Sequence, residues 1–337
     1  MTSSPRRRHA IAVAAASIIA LLLTGCATPA PVAQTPAPET PTTTPTPTPT
    51  ETEPVVAQVL FDGDCAQVLP SEAIAEVIGA AGDPREGRDL GTATLGGLGC
   101  GWTSEEGSLD VIAYPSEIVP ADIAARYETP VCEGFLYDGY GCRVGVREAD
   151  AWALVTVSPP LGAPADEEPP ASLDVAAAHV AEALAGTTGN ASTPTAEWWT
   201  TSCDDVEAAL DLTTLLGVDE YEFGFPADGG EDVDTEINRA SGSLIGTCHW
   251  YGYAGDDARA VQLWAYPGAA TQLESFIEGR DVAPVSIEGA EEALTFPGDG
   301  YLDLAISDGV NVVFVDAHDV AVDVDVVGNA VLAALAG

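Results

Sequence analysis

Few side chains in this sequence are equipped for catalysis. There are four His, at positions 9, 179, 249 and 318, and no Lys at all, which removes Ser–Lys chemistry. The sequence has no His-Glu-x-x-His, no Gly-x-Ser-x-Gly and no Walker loop, the arrangements that hold zinc, expose a serine nucleophile or cradle phosphates. His179, beside Val180, reads as a helix-surface residue. His249 lies between Cys248 and Trp250 and so faces the opposite way on a strand. His318, in Asp316-Ala317-His318-Asp319, is the nearest approach to a metal ligand, but no full set accompanies it. Among 53 acidic residues no carboxylate pair stands out for glycosidic work. The runs Asp228 to Glu236 and Asp316 to Asp325 have the residue types of calcium ligands without EF-hand spacing. The first reads as a solvated loop and the second partly as a strand with alternating Asp. The expectation is no catalytic residue, no cofactor and no metal.

The seven Cys carry more information, and the first of them belongs to the N-terminus. Arg6, Arg7 and Arg8 form a positive head, followed by an apolar run from Ala10 to Leu23 that is short for a membrane span. Leu23-Thr24-Gly25-Cys26 then resembles the bacterial lipobox. That resemblance implies a signal peptide over residues 1–25, cleavage before Cys26, and a diacylglycerol on its thiol that holds the chain to the outer leaflet. Residues 26–57 are Thr, Pro, Ala and Glu, including Thr44-Pro45-Thr46-Pro47-Thr48-Pro49. Such a stretch cannot bury a core and reads as an extended stalk, reaching on the order of 90 Å at polyproline rise.

Beyond the stalk the chain repeats itself. Aligning Cys65 with Cys203 sets Val68 beside Val206, Ile74 beside Leu212, Val77-Ile78 beside Leu215-Leu216, and Gly79 beside Gly217. The apolar positions form one helical stripe, with the Gly as its C-cap; Ser71 reads as the N-cap in the first copy. Cys100-Gly101-Trp102 then matches Cys248-His249-Trp250, and Ala113-Tyr114-Pro115 matches Ala265-Tyr266-Pro267. A helix follows each, over 121–128 and 270–278, then a pair of apolar strands joined by a tight turn. An Ala-rich helix closes each copy, ending at Gly186 and Gly337. The copies span 58–186 and 198–337, with a small, polar linker over 187–197. Paired strands with helices at the start, middle and end predict an α+β fold, two tandem antiparallel sheets with helices packed on one face.

With Cys26 assigned to lipid, six Cys remain in an exported chain, where disulfides persist. The duplication pairs Cys65 with Cys100 and Cys203 with Cys248, and leaves Cys132 for Cys142. No Cys-x-x-Cys spacing suggests zinc. The last pair closes a loop found only in the first copy, Phe135-Leu136-Tyr137-Asp138-Gly139-Tyr140. An aromatic loop ordered in advance binds at lower cost, so Phe135, Tyr137 and Tyr140 are the candidate binding residues. Trp102 and Trp250 recur beside a disulfide and read as core. Trp198 and Trp199 have no equivalent in copy 1; they either join the copies, the favoured reading, or form an exposed aromatic patch.

A Cys before a short helix, then Cys-x-Trp on a strand, behind a lipobox and a Thr/Pro stalk, resembles a large group of actinobacterial lipoproteins with a domain of unknown function. The resemblance covers Cys65 to Gly186 and, more loosely, Cys203 to Gly337; the Cys132–Cys142 pair departs from it. It implies a location on the outer face of the cell membrane and little about activity. A net charge of −42 opposes nucleic acid, whose phosphates need cationic partners. The expected function is a non-catalytic binding module, held to the membrane by its lipid, with an envelope protein or a wall polymer as partner. A wall hydrolase using acidic residues and an accessory subunit of a membrane protein are the alternatives.

Overall fold

In a computed structural model of the chain, the described residues, from Gln58 on, belong to one unit. The structure describes residues 58–79, 85–87, 90–135, 139–160, 162–163, 168–188, 190, 203–224, 232–244, 246–255, 257–297, 301–320 and 322–336. The signal sequence, Cys26 and the whole of the stalk therefore lie outside the described residues, as do Trp198 and Trp199.

Copy 1 opens with a 3-10 turn, Leu60–Gly63, and two short helices, α1 (Cys65–Val68) and α2 (Ser71–Ile78). The Asp64 carboxylate caps α1 by accepting from the Ala66 amide at 2.9 Å. Pro70, not Ser71, is the N-cap of α2, and Gly79 ends the helix at φ 75°. Strand β1 (Arg85–Gly87) and helix α3 (Leu90–Thr94) come next, then β2 (Leu98–Ser104) and β3 (Gly107–Pro115). Helix α4 (Ala121–Arg126), strands β4 (Val131–Phe135), β5 (Gly139–Glu148) and β6 (Ala151–Ser158), and the closing helix α5 (Ala171–Leu184) complete the copy. Copy 2 runs α6 (Cys203–Ala209), α7 (Leu212–Leu216), β7 (Tyr221–Phe223), α8 (Val233–Ala240), β8 (Gly246–Ala254), β9 (Asp257–Tyr266) and α9 (Ala270–Ile277). It ends with β10 (Ala283–Pro284), β11 (Glu292–Pro297), β12 (Tyr301–Ser307), β13 (Val312–His318) and α10 (Val324–Ala336).

The sheets have the same strand order. Copy 1 reads β1-β2-β3-β6-β5-β4 and copy 2 reads β10-β11-β12-β13-β9-β8-β7, the same arrangement with one short strand added at an edge. All pairings are antiparallel. The fold is α+β, and the duplication read from sequence landmarks extends to every core strand.

Alternation along each strand divides its residues between two layers. Leu109, Val111, Ala113, Val155 and Val157 pack against α1, α2 and α5. Their equivalents Val261, Leu263, Ala265, Val315 and Ala317 pack against α6, α7 and α10. The other face is covered too. In copy 1, Tyr114, Trp152 and Leu154 lie under Ile123 of α4. In copy 2, Tyr266, Trp264 and Phe314 lie under Leu273 and Phe276 of α9. The central strand β6 is thus enclosed on both sides, which accounts for its unbroken apolar run Ala151 to Val155.

On that second face the copies exchange helices. Val233 and Ile237 of α8 complete the layer of copy 1, and Leu90 of α3 completes that of copy 2. Both helices occupy the same place in the repeat, just before the Cys-x-Trp strand. Between them Thr92 Oγ1 lies 2.8 Å from the Tyr114 hydroxyl. That hydroxyl donates to Asn238 Oδ1 at 3.2 Å, while Asn238 Nδ2 donates to Thr92 Oγ1 at 3.3 Å. All three side chains are buried. At the edge, both terminal nitrogens of Arg126 donate to the Glu236 carboxylate at 2.9 Å. The stretch read as a solvated acidic loop, Asp228 to Glu236, is corrected by this contact. Its described end begins α8, because Val233 and Ile237 have an apolar surface to bury in the other copy.

Candidate ligand-binding site

Three disulfides join Cys65 to Cys100, Cys203 to Cys248 and Cys132 to Cys142. The first two tie the opening helix of each copy to its Cys-x-Trp strand. The third links directly opposed residues of β4 and β5, with the Cα atoms 4.0 Å apart. Disulfides are the mark of an oxidising compartment outside the cytoplasm. Among the described residues no helix is long and apolar enough to cross a membrane.

The β4–β5 hairpin positions the aromatic residues singled out in the sequence. Tyr137 falls in the turn, outside the described residues. Phe135 closes β4 with its backbone opposite Gly139; its side chain is likewise outside the description. Tyr140 is the one the structure places. It alternates with Cys142, Val144 and Val146 along β5, and all four pack on the copy 1 core. Tyr140 is half-buried and stands opposite Gly134, one pair from the turn.

From there Tyr140 lines a groove of about 530 Å³ together with Cys142, Val157, Pro159, Pro169 and Pro170. Val77 and Ile78, at the end of α2, form the opposite wall, and the exposed carboxylates of Glu106 and Glu168 also line the space. This volume falls in the range of small-ligand sites. Copy 2 has the same hairpin, β11–β12, without a disulfide, so the loop read as unique to copy 1 is unique only in its Cys132–Cys142 bond. The other difference is the longer connection over 159–170 between β6 and α5, of which Pro159, Ala163, Glu168, Pro169 and Pro170 line the groove. The matching connection in copy 2 is only residues 319–323. Prolines fix φ near −65°, and Pro170 is the N-cap of α5 at φ −69°. Pro159, Pro169 and Pro170 thus limit the backbone on one side of the groove, and the Cys132–Cys142 bond ties the hairpin on the other. A second hollow of about 410 Å³ lies between the opening turn and the end of α5, near Phe61, Gln67, Glu182 and Thr187.

The histidines fall in different settings. His179 on α5 reaches Glu76 on α2 with Nε2 3.6 Å from the carboxylate, a surface pair. His249 and His318, distant in sequence, share the second face of the copy 2 sheet. Register places His249 beside Gln262 and Asp316, and His318 beside Ala260 and Tyr251. The His249 ring stacks on Tyr251 with centroids 5.7 Å apart, and Tyr251 meets Tyr253 edge-on at 6.4 Å. His249 Nδ1 lies 3.0 Å from the Gly224 carbonyl. Burial lowers its pKa, and the hydrogen bond to Gly224 partly offsets this. Among the described residues no three His, Cys, Asp or Glu side chains gather as a metal site would require.

The sequence reading treated His249 alone and missed the row it belongs to. The signal is present in His249-Trp250-Tyr251-Gly252-Tyr253, where strand periodicity puts three rings on one face. Trp102 and Trp250 are buried, as read from their recurrence. The Trp250 indole donates to Glu207 Oε2 at 3.2 Å, and the Tyr221 hydroxyl donates to Oε1 at 3.0 Å, which raises the Tyr221 pKa. Compared with known proteins, the chain matches no family, no curated protein and no solved structure.

Proposed function

We propose that this chain is a lipoprotein of the outer membrane face that binds a ligand in the copy 1 groove and catalyses no reaction. The observation that carries the reading is the origin of the groove's walls. A duplicated scaffold starts with two equal copies, and here two features peculiar to one copy, the disulfide across its β4–β5 hairpin and the lengthened connection after β6, border the same space. Each stiffens its segment, one by a disulfide and one by prolines, and a preformed site spends less of its binding energy on ordering itself. Anchoring through Cys26 and a stalk over 26–57 suits such a role, because it holds the groove away from the bilayer and within the cell envelope. The lipobox resemblance and the disulfides support that placement.

Intact-mass measurement of the mature protein tests the anchor. The expected mass begins at Cys26 with acyl chains added and no free thiol. An unmodified Cys26 would remove the lipid from the proposal. The groove is tested by incubating the protein with envelope extract and recording what stays bound by native mass spectrometry. The expected result is a bound species lost in Tyr140→Ala and retained in His179→Ala. An identical profile for wild type and Tyr140→Ala would discard the groove as the site.

A further inference from the structure

We infer that the copy 1 groove receives an arginine side chain of a partner polypeptide, with its guanidinium docked between Glu106 and the end of α2. The inference rests on the reading of the groove as the ligand site and adds the chemistry of the occupant. The duplication carries it, because copy 2 has an arginine of its own in the corresponding place. With Cys100 set on Cys248, the strand pairs match residue for residue. Ser104 faces Gly107 across β2 and β3 as Gly252 faces Arg259 across β8 and β9. Arg259 is thus the counterpart of Gly107. Its Nη1 donates to the Leu216 carbonyl at 2.8 Å and to the Gly217 carbonyl at 3.3 Å. Those residues end α7, as Ile78 and Gly79 end α2. A helix C-terminus carries partial negative charge and favours a cation.

In copy 1 the matching position supplies no cation, and the turn beside it supplies an anion. Gly107 has no room for a side chain, since a Cβ there would run into the Ser158 carbonyl oxygen. The Ser104 hydroxyl donates to the Ile78 carbonyl, and the Glu106 amide donates to Ser104 Oγ at 3.0 Å. The turn is thereby fastened to the helix end and brings Glu106 with it. The Glu106 carboxylate lies so near Gly79 that a Cβ there would stand 2.8 Å from the carboxylate carbon. A carboxylate at the negative end of a helix is unfavourable until a cation joins it. No Arg or His is among the described residues lining the groove, whereas Glu106 and Glu168 both line it and are exposed. The cation therefore comes from outside. A guanidinium suits the place, because its fork of N–H donors reaches carboxylate and carbonyl oxygens together. The apolar walls of Val77, Tyr140, Val157 and Pro159 accept the methylene stem and an apolar neighbour. Free arginine would bring its own carboxylate among these acids, and an arginine within a chain does not. A net charge of −42 draws a basic segment in from a distance.

The test titrates the full mature chain with Cys26→Ser, by calorimetry and by NMR, with acetyl-Leu-Arg-Leu-amide. The same peptide with citrulline, a neutral isostere, in place of the arginine serves as the control. The arginine peptide is expected to bind with a Kd of about 1 mM or tighter, to shift the amides of 77–79, 104–107 and 157–158, and to weaken as salt rises. The citrulline peptide is expected to bind about tenfold more weakly. Glu106→Gln should weaken the arginine peptide about fivefold without lowering the melting temperature, because it takes a charge off the helix end. Glu274→Gln, an exposed carboxylate on α9, should change nothing, which separates the site from the general charge of the chain. Equal binding of the two peptides, or of wild type and Glu106→Gln, would overturn the arginine and leave the groove standing as a neutral site. Failure of the arginine peptide to bind at that limit would overturn it too, while the groove itself is judged separately by Tyr140→Ala in envelope extract.

Discussion

His249 shows how one side chain registers its surroundings. Burial lowers the pKa of its ring, against the weaker opposite pull of the Gly224 carbonyl. An unfolded chain exposes the same ring at an ordinary pKa of about 6.5. Below that pH the unfolded state takes up a proton that the folded state resists, so stability is full above about pH 6.5 and declines as pH falls. Asp316 and His318 stand on the same face, so the effect must be read as a difference. The melting temperature of wild type should fall more between pH 7.5 and 5.5 than that of His249→Gln. Parallel declines in the two proteins would mean that the ring titrates alike folded and unfolded.

At the scale of elements, the disulfides do unequal work. Cys203–Cys248 closes a loop 45 residues long and ties α6 to β8 through the copy 2 core. Cys132–Cys142 spans 10 residues already joined as neighbouring strands. Chain-entropy arguments give about 4 kcal/mol for the first and less than about 3 kcal/mol for the second. Replacing both members of each pair by Ser should therefore lower the urea midpoint more for the long pair. The short pair should chiefly loosen the hairpin beside the groove, raising amide exchange over 131–135 and 139–148. Equal midpoints for the two double variants would count against the loop-length argument. The long pairs were legible in the sequence because the repeat set each Cys against its twin. The stripe of Ile74, Val77 and Ile78 was legible because helical periodicity records it locally. Helices α3 and α8 were not. Leu90 to Thr94 is too short for a period, and Val233 follows an acidic run. The surfaces that bury both lie in the other copy, more than a hundred residues away. The groove was half legible: the Cys pair announced the hairpin, but nothing local said that the proline-rich connection would face it.

For the whole molecule, the exchange of α3 and α8 means that neither copy completes its second face alone. Leu90, Ile237 and Asn238 are buried only through the other copy's presence. Separated, each copy would expose an apolar layer containing Tyr114 and Trp152 or Tyr266 and Trp264. The Thr92–Tyr114–Asn238 triangle would also lose partners, and buried polar groups left unpaired cost about 1–3 kcal/mol. The Arg126–Glu236 pair adds less, because its side chains are partly exposed and screened by solvent. The two copies should then unfold together, although the linker reads as a domain boundary. Ile237→Ala tests this. It removes a fully buried side chain of copy 2 and should cost about 2–5 kcal/mol. Its effect should appear in copy 1, where Ile237 packs against Tyr114, Trp152 and Leu154. Amide exchange along 107–115 and 151–158 is expected to speed up with that of α8, in one cooperative urea transition. Protection lost from 233–240 alone, with the copy 1 strands unmoved, would show that the copies are joined in sequence and independent in stability.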